Sequence, residues 1–269
     1  MNKLKPLPEE WSGLLNNEQK EAIENINGPL LIIAGAGSGK TRVLTYRYAH
    51  LIKTYGINFE NVLAITFTNK AANEMKDRIS DLLNLELSPK WISTFHSLCV
   101  KMLRIHGHLI GFNNNFTIYD QSDSTKLVRN CMRDSDIDTK QYSPKRIQAH
   151  ISSLKNQRIL PGEAVEFAQS FFDVKVAEIY SSYQKKLMLA NSMDFDDLLI
   201  KAVELLETSD KSLNYWSSKF QYIMIDEYQD TNMVQYRLVE LLASKHKNIC
   251  VVGDSDQSIY AFRGADIRN

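Results

Sequence analysis

The chain has 269 residues, 43% hydrophobic and 24% charged, which suits a soluble globular protein of one large domain or two modest ones. Lysine plus arginine and aspartate plus glutamate number 32 each, so no bulk basic surplus marks a polyanion binder, and any nucleic-acid contact must come from local patches. Cys99, Cys131 and Cys250 are odd in number and at no metal or disulfide spacing, and no apolar run nears membrane-span length; a cytoplasmic protein with reduced thiols and no membrane partner is expected.

In chain order, residues 30–34 ("LLIIA") and 62–66 ("VLAIT") read as buried strands, each followed by a helical pattern, near 40–54 and 70–83. Strands alternating with amphipathic helices predict a parallel sheet covered on both faces. Residues 107–220 change to helices and loops with few strand signals. Strand patterns return at 222–227 ("YIMIDE") and 248–256 ("NICVVGDSD"), with a helix between them. The division read from this is a first core part at 1–106, a mostly helical insertion at 107–220 and a second core part at 221–269.

After the first strand come Ala34, Gly35, Ala36, Gly37, Ser38, Gly39, Lys40 and Thr41. Small residues let the backbone wrap closely around an anion, and the helix that follows adds its positive end. Lys40 can reach the outer phosphates of a nucleotide, and the Thr41 hydroxyl can ligate magnesium. The usual P-loop pattern begins with glycine; Ala34 stands there in this chain. A carboxylate is needed opposite. Asp226 and Glu227, at the end of a strand, supply a metal-holding aspartate and a glutamate placed to orient or deprotonate water. The same acidic turn could also cap the next helix through Asp230 or Asn232. On these motifs alone, kinases, transporters, GTPases and motors all remain open.

Six blocks in order narrow the choice: "LNNEQKEAI" (15–23), "AGAGSGKT" (34–41), "AITFTNKAANEM" (64–75), "ISTFHSLCVKMLR" (92–104), "IDEYQDTN" (225–232) and "VVGDSDQSIYAFRGAD" (251–266). Together they resemble the superfamily 1 DNA helicases of the UvrD, Rep and PcrA type. The resemblance implies a RecA-like P-loop NTPase domain of α/β class, with a parallel sheet and a helical insertion. It implies Mg-ATP hydrolysis coupled to movement on single-stranded and junction DNA, in the 3′-to-5′ direction. It also implies that Gln19 reads the adenine and Arg42 the base or sugar, that Gln257 senses the terminal phosphate, and that Phe67, Asn69, Lys70, His96, Tyr260, Phe262 and Arg263 contact DNA.

Phe262 departs from the family, which usually has tryptophan there; a phenylalanine still stacks on bases, with less area. In the insertion, Lys140, Lys145, Arg146, Lys155 and Arg158 fall in a stretch without acidic residues, a candidate basic face toward duplex DNA. The motif "DFDDLL" (194–199) reads as structural, with Asp194 capping a helix. No blocks of a second motor domain follow, so this chain is expected to be the amino-terminal part of a longer helicase, weakly active or inactive alone. Two other classes fit parts of the pattern. One is a P-loop kinase or NTPase indifferent to DNA; the other is a non-catalytic DNA-binding regulatory domain.

Overall fold

The computed structural model describes residues 4–35, 37–85 and 89–254. The chain forms α1 (Glu9–Ser12), α2 (Asn17–Glu24), β1 (Leu30–Ile33), α3 (Lys40–Lys53), β2 (Val62–Thr66), α4 (Asn69–Leu83), β3 (Ile92–Thr94) and α5 (Phe95–His106). It continues through β4 (Thr117–Tyr119), α6 (Gln121–Asp134), α7 (Pro144–Asn156), α8 (Phe171–Leu189), β5 (Ser192–Asp194) and α9 (Phe195–Thr208). The last elements are α10 (Asp210–Lys219), β6 (Tyr222–Ile225), α11 (Met233–Ala243) and β7 (Ile249–Gly253). Among the described residues no helix is long and apolar enough to cross a membrane.

Among these strands, five form one sheet in the order β1-β7-β6-β2-β3, with every pairing parallel. Alternation along β2 explains why both faces must be covered. Val62 and Ala64 pack with Leu44, Tyr48, Met75 and Ile79 from α3 and α4 on one face. Leu63 and Ile65 point the other way, into a cluster with Met102, Leu199, Val203 and Leu238 from α5, α9 and α11. Full burial of each large aliphatic side chain contributes about 1.5–3 kcal/mol, so β2 is the spine of the core.

Apart from α3, each helix directly after a strand starts on a side-chain cap that the sequence supplies. Thr68 accepts the Ala71 N–H at 3.1 Å before α4, and Thr94 accepts the Ser97 N–H at 3.3 Å before α5. Of the two residues that could cap α11, Asn232 does so, in a capping box with Gln235. Asp194 caps α9 in the same way, through Asp197.

The stretch 107–220 divides in its packing. Helices α6, α7 and α8 share their own apolar cluster around Val128, Ile151, Val176 and Tyr180. Helices α9 and α10 instead pack into the sheet cluster through Leu199, Val203 and Trp216. The strands β4 and β5, parallel to each other, stand between the two.

The basic face read from the sequence needs correction. Lys155 is 0% exposed. Its ammonium donates to Asp194 and Asp197, each at 2.7 Å. Burial alone would lower its pKa, but the two carboxylates outweigh that and the net shift is upward. Arg158 pairs with Glu207 at 2.7 Å, and Arg146 lies over the Phe172 ring at 4.5 Å. Only Lys140 and Lys145 of that set remain as exposed charges without such a role.

Candidate nucleotide and nucleic-acid site

The loop after β1 leaves an anchored strand end, since the Ala34 N–H still donates to the Gly253 carbonyl of β7 at 3.1 Å. The Ser38 N–H and hydroxyl both bond the Gly35 carbonyl, at 3.3 and 2.7 Å, which turns the loop. Gly39 then enters α3 at a φ of 90°, and a Cβ there would meet Gln19 Nε2 at 3.0 Å. The left-handed φ is what calls for glycine; the Gln19 contact is tight but lies at the tip of a side chain that can shift. Helix α3 therefore begins with no side-chain cap, and its first turn faces the loop.

Lys40 is buried, and its ammonium bonds the Ala34 carbonyl at 3.0 Å, the Gly35 carbonyl at 3.5 Å and Asp254 Oδ2 at 2.9 Å. The Thr41 hydroxyl donates to Asp226 Oδ2 at 2.9 Å. Burial raises the Asp226 pKa; the Thr41 bond opposes that, and the neighbouring Glu227 charge adds to it. The Glu227 N–H donates to Asp226 Oδ1 at 3.0 Å. Glu227 itself sits at a φ of 52°, a left-handed conformation that costs a non-glycine residue about 1–2 kcal/mol. Gln229 donates to Glu227 Oε2 at 2.7 Å and accepts the Asp254 N–H at 3.0 Å.

Gln19 lies against this loop. Its Nε2 donates to the Ser38 carbonyl at 3.0 Å, while its Oε1 accepts the Asn16 N–H at 3.1 Å in the capping box of α2. Arg42 is exposed on α3, 5.7 Å from the Tyr46 ring centroid, and lines a cavity of ≈ 380 Å³ with Thr45, Tyr46 and Arg78.

The other sequence-derived candidates stand at the carboxyl ends of the neighbouring strands. Phe67 follows β2 and is half-buried; Asn69 and Lys70 are exposed at the start of α4, with Lys70 near Glu74 at 4.0 Å. His96 is the second residue of α5, after β3, which pairs with β2 through Thr66 and Thr94. Its ring is half-buried, and burial lowers its pKa, partly offset by a backbone bond at Phe195. Ala36, Gln257, Tyr260, Phe262 and Arg263 lie outside the described residues.

Three residues that sequence reasoning passed over belong to this edge. Asp254 holds Lys40, and the signal was present: an aspartate at a strand end, the logic that picked out Asp226. Gln229 bridges Glu227 and Asp254. Phe195, inside a motif read as packing, is 52% exposed, and its ring lies 5.8 Å from that of His96 in an edge-to-face arrangement.

A parallel sheet with a glycine-rich loop after β1, a lysine and a threonine opening α3, and an acidic pair after β6 defines a P-loop nucleotide-binding domain of α/β class. Within that class the chain belongs to the UvrD/REP helicase N-terminal domain family, whose model matches residues 15–269. It is similar to proteins named ATP-dependent DNA helicase PcrA from Staphylococcus aureus and Staphylococcus epidermidis. Identity to each is 50% over 255 residues, which is 95% of this chain and 35% of the relative. The chain thus spans about a third of the length of the curated relatives it matches.

Proposed function

We propose that this chain is the ATP-binding motor portion of a DNA helicase, coupling Mg-ATP hydrolysis to movement on single-stranded DNA and to unwinding at junctions. The supporting observation is the order of groups along one sheet edge. The loop of Lys40 and Thr41 meets Asp226 and Glu227 at β6, and the next two strands across the sheet, β2 and then β3, lead into Phe67 and His96. Neighbouring strands are about 4.8 Å apart, so a shift at the acidic pair lies one or two strands from the aromatic residues.

The residues suit the chemistry. Lys40 and the loop amides take the phosphates, a preorganised positive site that needs little rearrangement. Thr41 and Asp226, with oxygens 2.9 Å apart, are a hard-oxygen pair that fits magnesium, which is commonly held by one or two protein groups plus phosphate. Bound there, the ion would neutralise charge on the phosphate oxygens. Glu227 orients the attacking water, and Gln257 senses the terminal phosphate. Phe67, His96 and Phe195, with Tyr260, Phe262 and Arg263, grip unpaired bases, while Asn69 and Lys70 take backbone phosphates. The partner segments are the carboxy-terminal helicase domains of the same protein; this chain alone would hydrolyse ATP poorly.

The test is ATP turnover by the complete product of the reading frame, with and without a single-stranded oligonucleotide. Stimulation of at least about tenfold, abolished by Glu227→Gln, is expected. Turnover indifferent to DNA would favour a kinase or metabolic NTPase, and turnover untouched by Glu227→Gln would favour a non-catalytic DNA-binding role.

A further inference from the structure

We propose that Gln229 is a positioning residue for hydrolysis, tying Glu227 to the end of β7 so that the seat of Lys40 and the aim of Glu227 are set together. The proposal rests on the reading of Glu227 as the group that orients water. Three consecutive bonds join the two ends of the site. Lys40 Nζ donates to Asp254 Oδ2 at 2.9 Å, the Asp254 N–H donates to Gln229 Oε1 at 3.0 Å, and Gln229 Nε2 donates to Glu227 Oε2 at 2.7 Å.

The chemistry of the link selects an amide. It must accept from a backbone N–H and donate to a carboxylate from one rigid plane, which glutamine does and glutamate or leucine does not. The orientation follows from the partners: a flipped amide would set oxygen against the Glu227 carboxylate and nitrogen against the Asp254 N–H. The approach is also close. A Cβ on Gly253 would lie 3.0 Å from Gln229 Oε1, so the strand end is bare where the amide oxygen comes in. Gln229 is 9% exposed, which shields both bonds from competing water.

The link has a direction of use. A phosphate entering the loop competes with Asp254 for the Lys40 ammonium. When Lys40 exchanges one anion for the other, Asp254 loses its cation, and the change in its backbone reaches Glu227 through Gln229. Gln229 would then turn Glu227 toward water when Lys40 is engaged with phosphate, and turn it aside otherwise.

The experiment uses the complete product of the reading frame, single-turnover ATP hydrolysis with saturating oligo-dT, and the variants Gln229→Leu, Gln229→Glu, Glu227→Gln and the two double variants. Both Gln229 changes should lower the rate about tenfold or more while moving the KM for ATP less than about threefold, and neither should lower it further in the Glu227→Gln background. Gln229→Glu is nearly the same shape and keeps the test open if the leucine variant unfolds. A Gln229→Glu enzyme within about twofold of wild type, or a loss that multiplies in full on Glu227→Gln, overturns the proposal. A lower melting temperature with an unchanged rate assigns Gln229 a purely structural role and overturns it too. If Glu227→Gln itself keeps the wild-type rate, the reading of Glu227 fails and takes the proposal with it.

Discussion

Replacing Lys155 by methionine should be among the most destabilising single changes in the protein. The ammonium is wholly buried and makes 2.7 Å bonds to both Asp194 and Asp197. Methionine fills most of the stem's volume, so little of the effect is a cavity. What remains is two buried carboxylates without their cation. Asp194 keeps the Tyr183 hydroxyl at 2.8 Å and Asp197 keeps Gln184 at 3.0 Å, neither of which carries charge. Breaking a buried pair from one side costs about 3–5 kcal/mol, a large share of the roughly 5–15 kcal/mol that holds a typical domain folded. The variant can relieve the strain by protonating a carboxylate. That group then has a folded pKa above its unfolded value, so its contribution is present at low pH and lost as pH rises through the folded value, at about 1.4 kcal/mol per unit. Urea unfolding of wild type and Lys155→Met at pH 5 and pH 8 should therefore show a larger deficit at pH 8. A deficit below about 1 kcal/mol, or an equal one at both pH values, would refute the reasoning.

Phe195→Ala should weaken single-stranded DNA binding by the complete protein by about 5- to 150-fold, the worth of one stacked base, and leave nucleotide affinity alone. Fluorescence anisotropy at one fixed salt concentration measures it, and a change under about twofold would remove Phe195 from the DNA surface. His50 is fully buried and burial lowers its pKa; Glu24 and a backbone bond at Lys5 oppose this, and the Arg47 and Lys5 charges reinforce it. A depressed histidine stabilises the fold above its unfolded value, near 6.5, and that stability is lost as pH falls below it. The melting temperature of wild type should consequently drop more between pH 7.5 and 5.5 than that of His50→Leu; equal drops would show that His50 does not titrate with unfolding.

What could be read from the sequence was what lies contiguous in it. Residues 34–41 carry the phosphate-binding chemistry in one stretch, and Asp226 follows four strand residues, so loop, strands and acidic pair were all visible. The lost information is of two kinds. Asp254 meets Lys40 across more than two hundred residues, and no local pattern records which strand end will lie beside the loop. Burial of single charges was the other. Lys155 looks like its basic neighbours, because its carboxylates arrive about forty positions later in the chain. Phe195 shows the reverse error: an aromatic residue within an apolar, well-capped motif was taken as packing, yet it opens the helix and faces outward.

The placement of β7 between β1 and β6 bears on how the molecule is made. Leu30 pairs with Cys250, so the first strand waits for about 220 further residues before either of its edges finds a partner in this sheet. At roughly 5–20 residues per second on the ribosome, that wait is on the order of 10–45 seconds. Through it the run from Leu30 to Ile33 is an unpaired apolar ribbon, the kind of segment that chaperones shield and that aggregates when they do not. The phosphate loop inherits the delay: Ala34 is fastened to Gly253, so the cradle takes shape only as β7 slots into the gap between β1 and β6.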